Sequence, residues 1–147
     1  METPENRPQD KCRPDNSPSD KWLYEYFVVR YMPCPERGEF LNIGLVMMCK
    51  RQKWLKGLIW IDEEKLRTFH PNANISQLER QTSIFERKDV PGKDLPVEEK
   101  YRWLAAEKSA SVRVSPSHPG LINPSEVVPD LALLDLEFER LLRTLVL

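Results

Sequence analysis

Three apolar runs in the first half of the chain predict strands of one β-sheet. The runs are Leu23–Tyr31, Phe40–Cys49 and Trp54–Ile61, and each is rich in β-branched or aromatic residues. Both faces of the first run are largely apolar, so we expect a central strand that is covered on both sides. The connections at Pro33 and Lys50 are short, which predicts an antiparallel meander.

Helical signals follow the third run. Asp62 and Asn74 each stand where a side-chain oxygen can cap a short helix, and Pro71 separates the two. A third helix is predicted from Val97 to about Ala106. From about Ser125 to Val146 apolar residues recur at alternating spacings of four and three, which predicts a long amphipathic C-terminal helix.

The segment between the last two helices is less regular. Val112 and Val114 predict a fourth strand within residues 109–115, whereas the prolines and glycine of Ser115–Gly120 predict an irregular loop. The sequence therefore predicts an α+β fold. Its antiparallel sheet has three to four strands and packs with several helices, including the C-terminal one.

The first 20 residues differ in composition from the rest. They contain four prolines among polar residues and no large aliphatic side chain after Met1. Such a segment cannot bury enough apolar surface to offset its ordering entropy, so we expect a disordered tail. Residues 21–147 are then predicted to form a single domain.

Charge and cysteine content narrow the class of protein. The formal net charge of −1 argues against nucleic-acid binding. No apolar stretch reaches the roughly 18 residues that cross a bilayer, and no signal peptide is evident. Cys12, Cys34 and Cys49 are odd in number and widely spaced, which is typical of reduced thiols in the cytoplasm.

The sequence gives only weak evidence for a catalytic or metal-binding site. His70 and His118 are not spaced as metal ligands, and His70 at a helix end suits a structural role. Glu63-x-Lys65 and Glu98-x-Lys100 match a fragment of metal-dependent nucleases, but no strand-borne aspartate is suitably placed to share the metal. We therefore predict no metal site and no cofactor.

The stretch from Arg30 to Gly44 offers a more specific candidate. A guanidinium on a strand buried on both faces needs partners, and Glu39 or Asn42 on the next strand could supply them. One interpretation is a structural network that stabilises the hairpin. The other is an anion- or nucleotide-binding site, built from Arg30 and Arg37 with Arg102, Arg113 and His118.

A protein-interaction surface is a further hypothesis. Leu133 and Leu136 lie off the main apolar stripe of the predicted C-terminal helix, among charged residues. Single exposed leucines are ordinary, but two on one outer face suggest contact with another protein.

Three segments resemble motifs of a known bacterial family. They are Tyr24–Val46 (Y-E-Y-F-V-V-R-Y-M-P-C-P-E-R-G-E-F-L-N-I-G-L-V), Tyr101–Ser109 (Y-R-W-L-A-A-E-K-S) and Ser115–Leu121 (S-P-S-H-P-G-L). In order and spacing they are similar to the family "domain of unknown function 3037". One departure is the absence of a proline near Glu107, which affects only a local turn.

The resemblance implies a partner rather than an activity. The family has no established activity, but its members are often encoded beside a HipA-like kinase, which implies that kinase as a partner. The motif positions implied to matter are Arg30, Arg37, Glu39, Asn42, Gly44, Arg102, Trp103, Ser115, His118 and Gly120.

Two functional hypotheses follow. The first is a non-catalytic accessory or regulatory partner of a HipA-like kinase. The alternative is a small phosphate- or nucleotide-handling domain that uses Arg30, Arg37, Glu39 and His118, since arginine pairs bidentately with phosphate. The alternative requires these four side chains to converge in one open cleft.

Overall fold

The computed structural model describes residues 21–86, 95–106 and 109–147, so the predicted tail lies outside the described residues. Its strands are β1 (Trp22–Tyr31), β2 (Leu41–Cys49), β3 (Trp54–Ile59), β4 (Val112–Val114) and β5 (His118–Ile122). Its α-helices are α1 (Glu63–Phe69), α2 (Ile75–Thr82), α3 (Val97–Ala105) and α4 (Asp130–Leu145). Short 3-10 turns occupy Pro35–Arg37 and Ser83–Glu86.

The strands form one antiparallel sheet with β1 at its centre. The order is β3-β2-β1-β4, and β5 pairs with β1 on the same side as β4. The α+β class and the meander of the first three strands are confirmed. The sheet has a fifth strand where an irregular loop was predicted, because Pro119 and Gly120 lie within β5 and mask its strand signal.

A β-bulge interrupts the pairing of β1 with β2. Val29 is opposite Gly44 and Arg30 is opposite Asn42, so Ile43 is the extra residue. A glycine inside a strand often marks a bulge or a close approach of another backbone, and both apply to Gly44. The bulge lies beside Gly44, and a Cβ added to Gly44 would be only 2.9 Å from the carbonyl oxygen of Leu58.

Each face of the sheet carries its own apolar core, as the sequence of β1 predicted. Phe27 and Val29 point to one face, and Tyr24 and Val28 point to the other. The first face packs against α1, α2, α3 and the 3-10 turn Ser83–Glu86 through Leu66, Leu78, Phe85, Tyr101 and Leu104. The second face packs against α4 through Leu134, Phe138, Leu141 and Leu142. The sheet is therefore the middle layer of three.

Helix starts follow their capping residues. The side chain of Asp62 accepts from the backbone N–H of Lys65 at 3.2 Å, and α2 is capped in the same way by Asn74. The predicted start of the last helix near Ser125 is wrong, because α4 begins at Asp130. Pro129 disfavours helical conformation for the residue before it.

Candidate functional site

Arg37 and Glu39 lie in the connection between β1 and β2, where they form an exposed ion pair. Nε of Arg37 donates to Oε1 of Glu39 at 2.9 Å, and Nη2 donates to Oε2 at 3.4 Å. Together with Cys34 and His70, they line a cleft of about 330 Å³. Of the two partners predicted for Arg30, Glu39 thus pairs with Arg37 instead.

Arg30 lies near the end of β1 on the same face as Val28, the face that α4 covers. Its guanidinium carbon is 4.1 Å from the centroid of the Phe40 ring, a cation–π contact. Its Nε is buried, and no atom of the described residues accepts a hydrogen bond from it. The part of the chain that the structure describes therefore leaves the Nε–H of this cation without an acceptor.

Asn42 and Arg113 are the neighbours of Arg30 in the sheet. Asn42 is directly opposite on β2, and Arg113 is directly opposite on β4. Nδ2 of Asn42 donates to the backbone carbonyl of Leu145 at 2.9 Å, while its buried Oδ1 accepts no hydrogen bond from residues 21–86, 95–106 or 109–147. Nε of Arg113 donates to the carbonyl of Ala110 at 3.0 Å. Three of the predicted residues thus form one row across three strands.

His118 and Arg102 lie elsewhere. His118 begins β5 opposite Tyr26, and the two rings are 5.4 Å apart. Tyr26 precedes Arg30 by four residues, a separation of roughly 13 Å along an extended strand. Arg102 is exposed on α3, which packs against the opposite face of the sheet. The structure therefore divides the predicted residues among separate places.

The first and third sequence motifs pair with each other along one edge of the sheet. Tyr24 is opposite Gly120, and a Cβ on Gly120 would overlap the tyrosine ring. Ser115 directly follows β4 and precedes β5. Its Oγ accepts from the N–H of Val28 at 2.8 Å, and its own N–H donates to the Val28 carbonyl at 2.9 Å. Ser115 thus continues the hydrogen bonding of the sheet past the end of β4, with its side-chain Oγ in the place of a backbone carbonyl.

The second motif, Tyr101–Ser109, contacts the β1–β5 edge from the face of the sheet opposite α4. The hydroxyls of Tyr101 on α3 and Ser117 are 2.7 Å apart and share a hydrogen bond. Ser117 also donates to Oε1 of Glu25 at 3.1 Å. Burial raises the pKa of Tyr101, which therefore stays neutral. The three motifs thus meet through direct side-chain contacts.

Sequence reasoning missed a polar cluster between the sheet and α4. The hydroxyl of Tyr24 donates to Oε2 of Glu137, which also accepts from Nη2 of Arg140 at 2.7 Å. The hydrogen bond from Arg140 lowers the pKa of Glu137, while burial raises that of Tyr24. The three-residue spacing of Glu137 and Arg140 is a visible signal. Nothing in the sequence indicates Tyr24, which is 113 positions from Glu137.

Among the exposed apolar side chains, two sets of leucines are candidates for an interaction surface. Of the leucines predicted to form an interaction surface, Leu136 is 60 % exposed, whereas Leu133 is half-buried against the α4 core. A second surface, the leucine pair, consists of Leu23 and Leu121. They are directly opposite each other on β1 and β5 and are 57 % and 59 % exposed. A groove of about 450 Å³ runs beside Leu23.

The two nuclease-like fragments lie in helices, as predicted. Glu63 pairs with Arg67 at 3.3 Å and Glu98 with Lys50 at 3.5 Å. Residues 21–86, 95–106 and 109–147 contain no group of three side chains able to hold a metal ion. Across those same ranges, no helix is both long and apolar enough to cross a lipid bilayer.

The protein is a three-layer α+β domain. Side chains of the three motifs join its central strand, β1, to the edge strand β5. The family model described as "Protein of unknown function (DUF3037)" matches residues 26–146, and the chain belongs to that family. Neither the curated proteins nor the solved structures gave a match.

Proposed function

We propose that this protein is a non-catalytic accessory protein that acts by binding another protein. The observation that carries the proposal is the leucine pair, two adjacent leucines of the sheet that are both more than half exposed. Surface leucines that share one strand pair form a continuous apolar patch, and such patches are typical of protein-binding sites.

The contacts of the motif residues support the same proposal. Tyr24, Glu25, Ser115 and Ser117 are engaged with other residues of the domain. Side chains used in this way hold the β1–β5 edge in place, and the leucine pair lies on that edge. On this proposal, the motif residues fix the position of the two strands, and these strands present the leucine pair to the partner.

The proposed partner is a HipA-like kinase, and the proposed location is the cytoplasm. Members of the family are often encoded beside such a kinase, which makes it the first protein to test. Widely spaced thiols suit a reducing compartment. We propose the leucine pair as the surface that contacts this kinase.

Co-expression with the HipA-like kinase of the same genome tests this proposal. We expect the kinase to be retained by the tagged full-length chain, and the double variant Leu23→Ser/Leu121→Ser to lose at least about tenfold in affinity, about 1.4 kcal/mol. Leu131→Ser on α4, which removes another exposed leucine, is the matched control.

Each outcome bears on a separate part of the proposal. Retention by the double variant combined with loss in Leu136→Ser would move the interface to the outer face of α4. Failure of every version of the chain to bind the kinase or alter its activity would refute the kinase as partner.

The alternative function, handling of phosphate or nucleotides, has narrower support. It requires Arg30, Arg37, Glu39 and His118 in one cleft, yet Arg37 pairs with Glu39 in the β1–β2 connection. His118 lies beside Tyr26. The support for anion binding is therefore confined to Arg30 and its neighbour Arg113.

A further inference from the structure

The arginine pair, Arg30 and Arg113, brings two like charges to facing positions of neighbouring strands. The two residues are directly opposite on β1 and β4, so their side chains leave the same face of the sheet. Like charges in this position destabilise a sheet. The ion pairs between described residues include neither guanidinium.

Both side chains lie at the same end of the sheet. Arg30 stacks on Phe40, which directly precedes β2, and β2 begins where β1 ends. Arg113 donates to Ala110, which precedes β4 at that end. Both side chains are partly exposed, so a ligand can approach them from solvent.

The surroundings hold Arg30 without neutralising it. The ring of Phe40 covers one side of the guanidinium and provides no hydrogen-bond acceptor in its plane. Among the described residues, neither the buried Nε nor the neighbouring Oδ1 of Asn42 has a hydrogen-bond partner. The partly exposed end of this oriented side chain is the part that an anion could reach.

We propose that the arginine pair binds the phosphate group of a small soluble molecule. Two guanidinium groups carry two positive charges, which match a phosphate dianion. Because Nε of Arg30 is buried and Nε of Arg113 donates to Ala110, the terminal Nη groups would donate the hydrogen bonds to the anion. The bound anion would also relieve the repulsion between the two cations. This site is separate from the leucine pair, so it does not depend on protein binding.

Titration of the full-length chain with inorganic phosphate, followed through the ¹⁵N NMR signals of the arginine Nε–H groups, tests the proposal. At constant ionic strength and about pH 8 the phosphate is a dianion. We expect saturable shifts of the Arg30 and Arg113 signals. Ribose 5-phosphate in a second titration distinguishes a sugar phosphate from free phosphate, according to which binds more tightly.

Variants separate a specific site from general charge attraction. Arg113→Gln should weaken phosphate binding at least about tenfold, about 1.4 kcal/mol. Arg113→Lys should weaken it less, because the charge stays but the fork is lost. Arg102→Gln removes an exposed arginine on the opposite helical layer and should leave binding unchanged.

Two results would overturn the site. One is a set of small shifts, linear in phosphate concentration and shared by all arginines. The other is equal affinity of Arg113→Gln and the unaltered chain. Arg113 is the decisive position, because Arg30→Gln also removes the stacking on Phe40 and could unfold the protein.

Discussion

At the scale of single residues, the hydroxyl of Tyr24 offers a direct test of the cluster between the sheet and α4. We expect Tyr24→Phe to lower the free energy of unfolding by about 1.5–3 kcal/mol, because a hydrogen bond to a charged carboxylate is lost. Urea denaturation at neutral pH measures this change. Tyr26→Phe on the same strand is the matched control and should cost under about 0.5 kcal/mol. Equal effects of both substitutions would contradict the assigned role.

The carboxylate of Glu137 should make stability depend on pH. Its pKa is lowered in the folded state by the hydrogen bond from Arg140. Its contribution is therefore complete above the unfolded pKa of about 4.3 and is lost as the pH falls through the lower folded value. The stability difference between the unaltered protein and Glu137→Gln should thus shrink as the pH is lowered from about 6 to 3.

Urea denaturation midpoints across that pH range measure this difference, provided that the m-value is the same for both proteins. Glu139→Gln is the control, since Glu139 belongs to an exposed ion pair with Arg143 and such pairs contribute little. A difference for Glu137→Gln that is constant with pH would mean that its charge contributes nothing to folding.

At the scale of elements, Ser115 decides whether β4 and β5 act as one edge strand. Its Oγ is the acceptor for the buried N–H of Val28. Ser115→Ala should cost about 1–3 kcal/mol, because it leaves that donor unsatisfied. It should also speed hydrogen exchange at the Val28 amide. Ser83→Ala, which removes an exposed hydroxyl that donates to Arg80, should change neither quantity.

Sequence patterns anticipated most elements because their signals are local. β-branched runs predicted β1 to β3, and the caps at Asp62 and Asn74 predicted the starts of α1 and α2. β5 escaped prediction, because the pairing of His118–Ile122 with β1 is a long-range contact and its own residues include Pro119 and Gly120.

At the scale of the whole molecule, the shared sheet should make the protein unfold in a single cooperative transition. Adjacent residues of β1, such as Phe27 and Val28, enter different cores, so neither core can be lost alone. Phe85→Ala and Phe138→Ala, one in each core, should each cost about 3–5 kcal/mol. Each should shift the same transition when it is followed by far-UV circular dichroism and tryptophan fluorescence.

A core that unfolds separately would disprove this expectation. In that case Phe138→Ala would split the fluorescence transition from the far-UV transition, because Trp54 packs edge-on against Phe138 with ring centroids 6.3 Å apart. Leu136→Ser on the outer face of α4 is the control and should leave both transitions within about 0.5 kcal/mol of the unaltered protein.

For the candidate site around Arg30, the sequence predicted individual residues but not which of them are neighbours. The sequence indicated Arg30 as a cation on a buried strand and Asn42 as its neighbour, and these two are directly opposite in the sheet. It grouped Arg30 with Arg37, Arg102, Arg113 and His118 as a candidate anion-binding site, without indicating which of these residues are neighbours in the sheet. Sequence order carries no information on which strand pairs beside β1, so only the structure placed Arg113 next to Arg30.

The amino-acid sequence by itself determined the kinds of element, the two-sided burial of β1 and the family to which the chain belongs. These depend on side-chain patterns within a few residues or on motifs read in order. Only the tertiary structure decided that the three motifs meet at one edge, that Tyr24 reaches Glu137 and that two arginines stand side by side. Such contacts join positions far apart in the chain, and their geometry exists only once the sheet has formed.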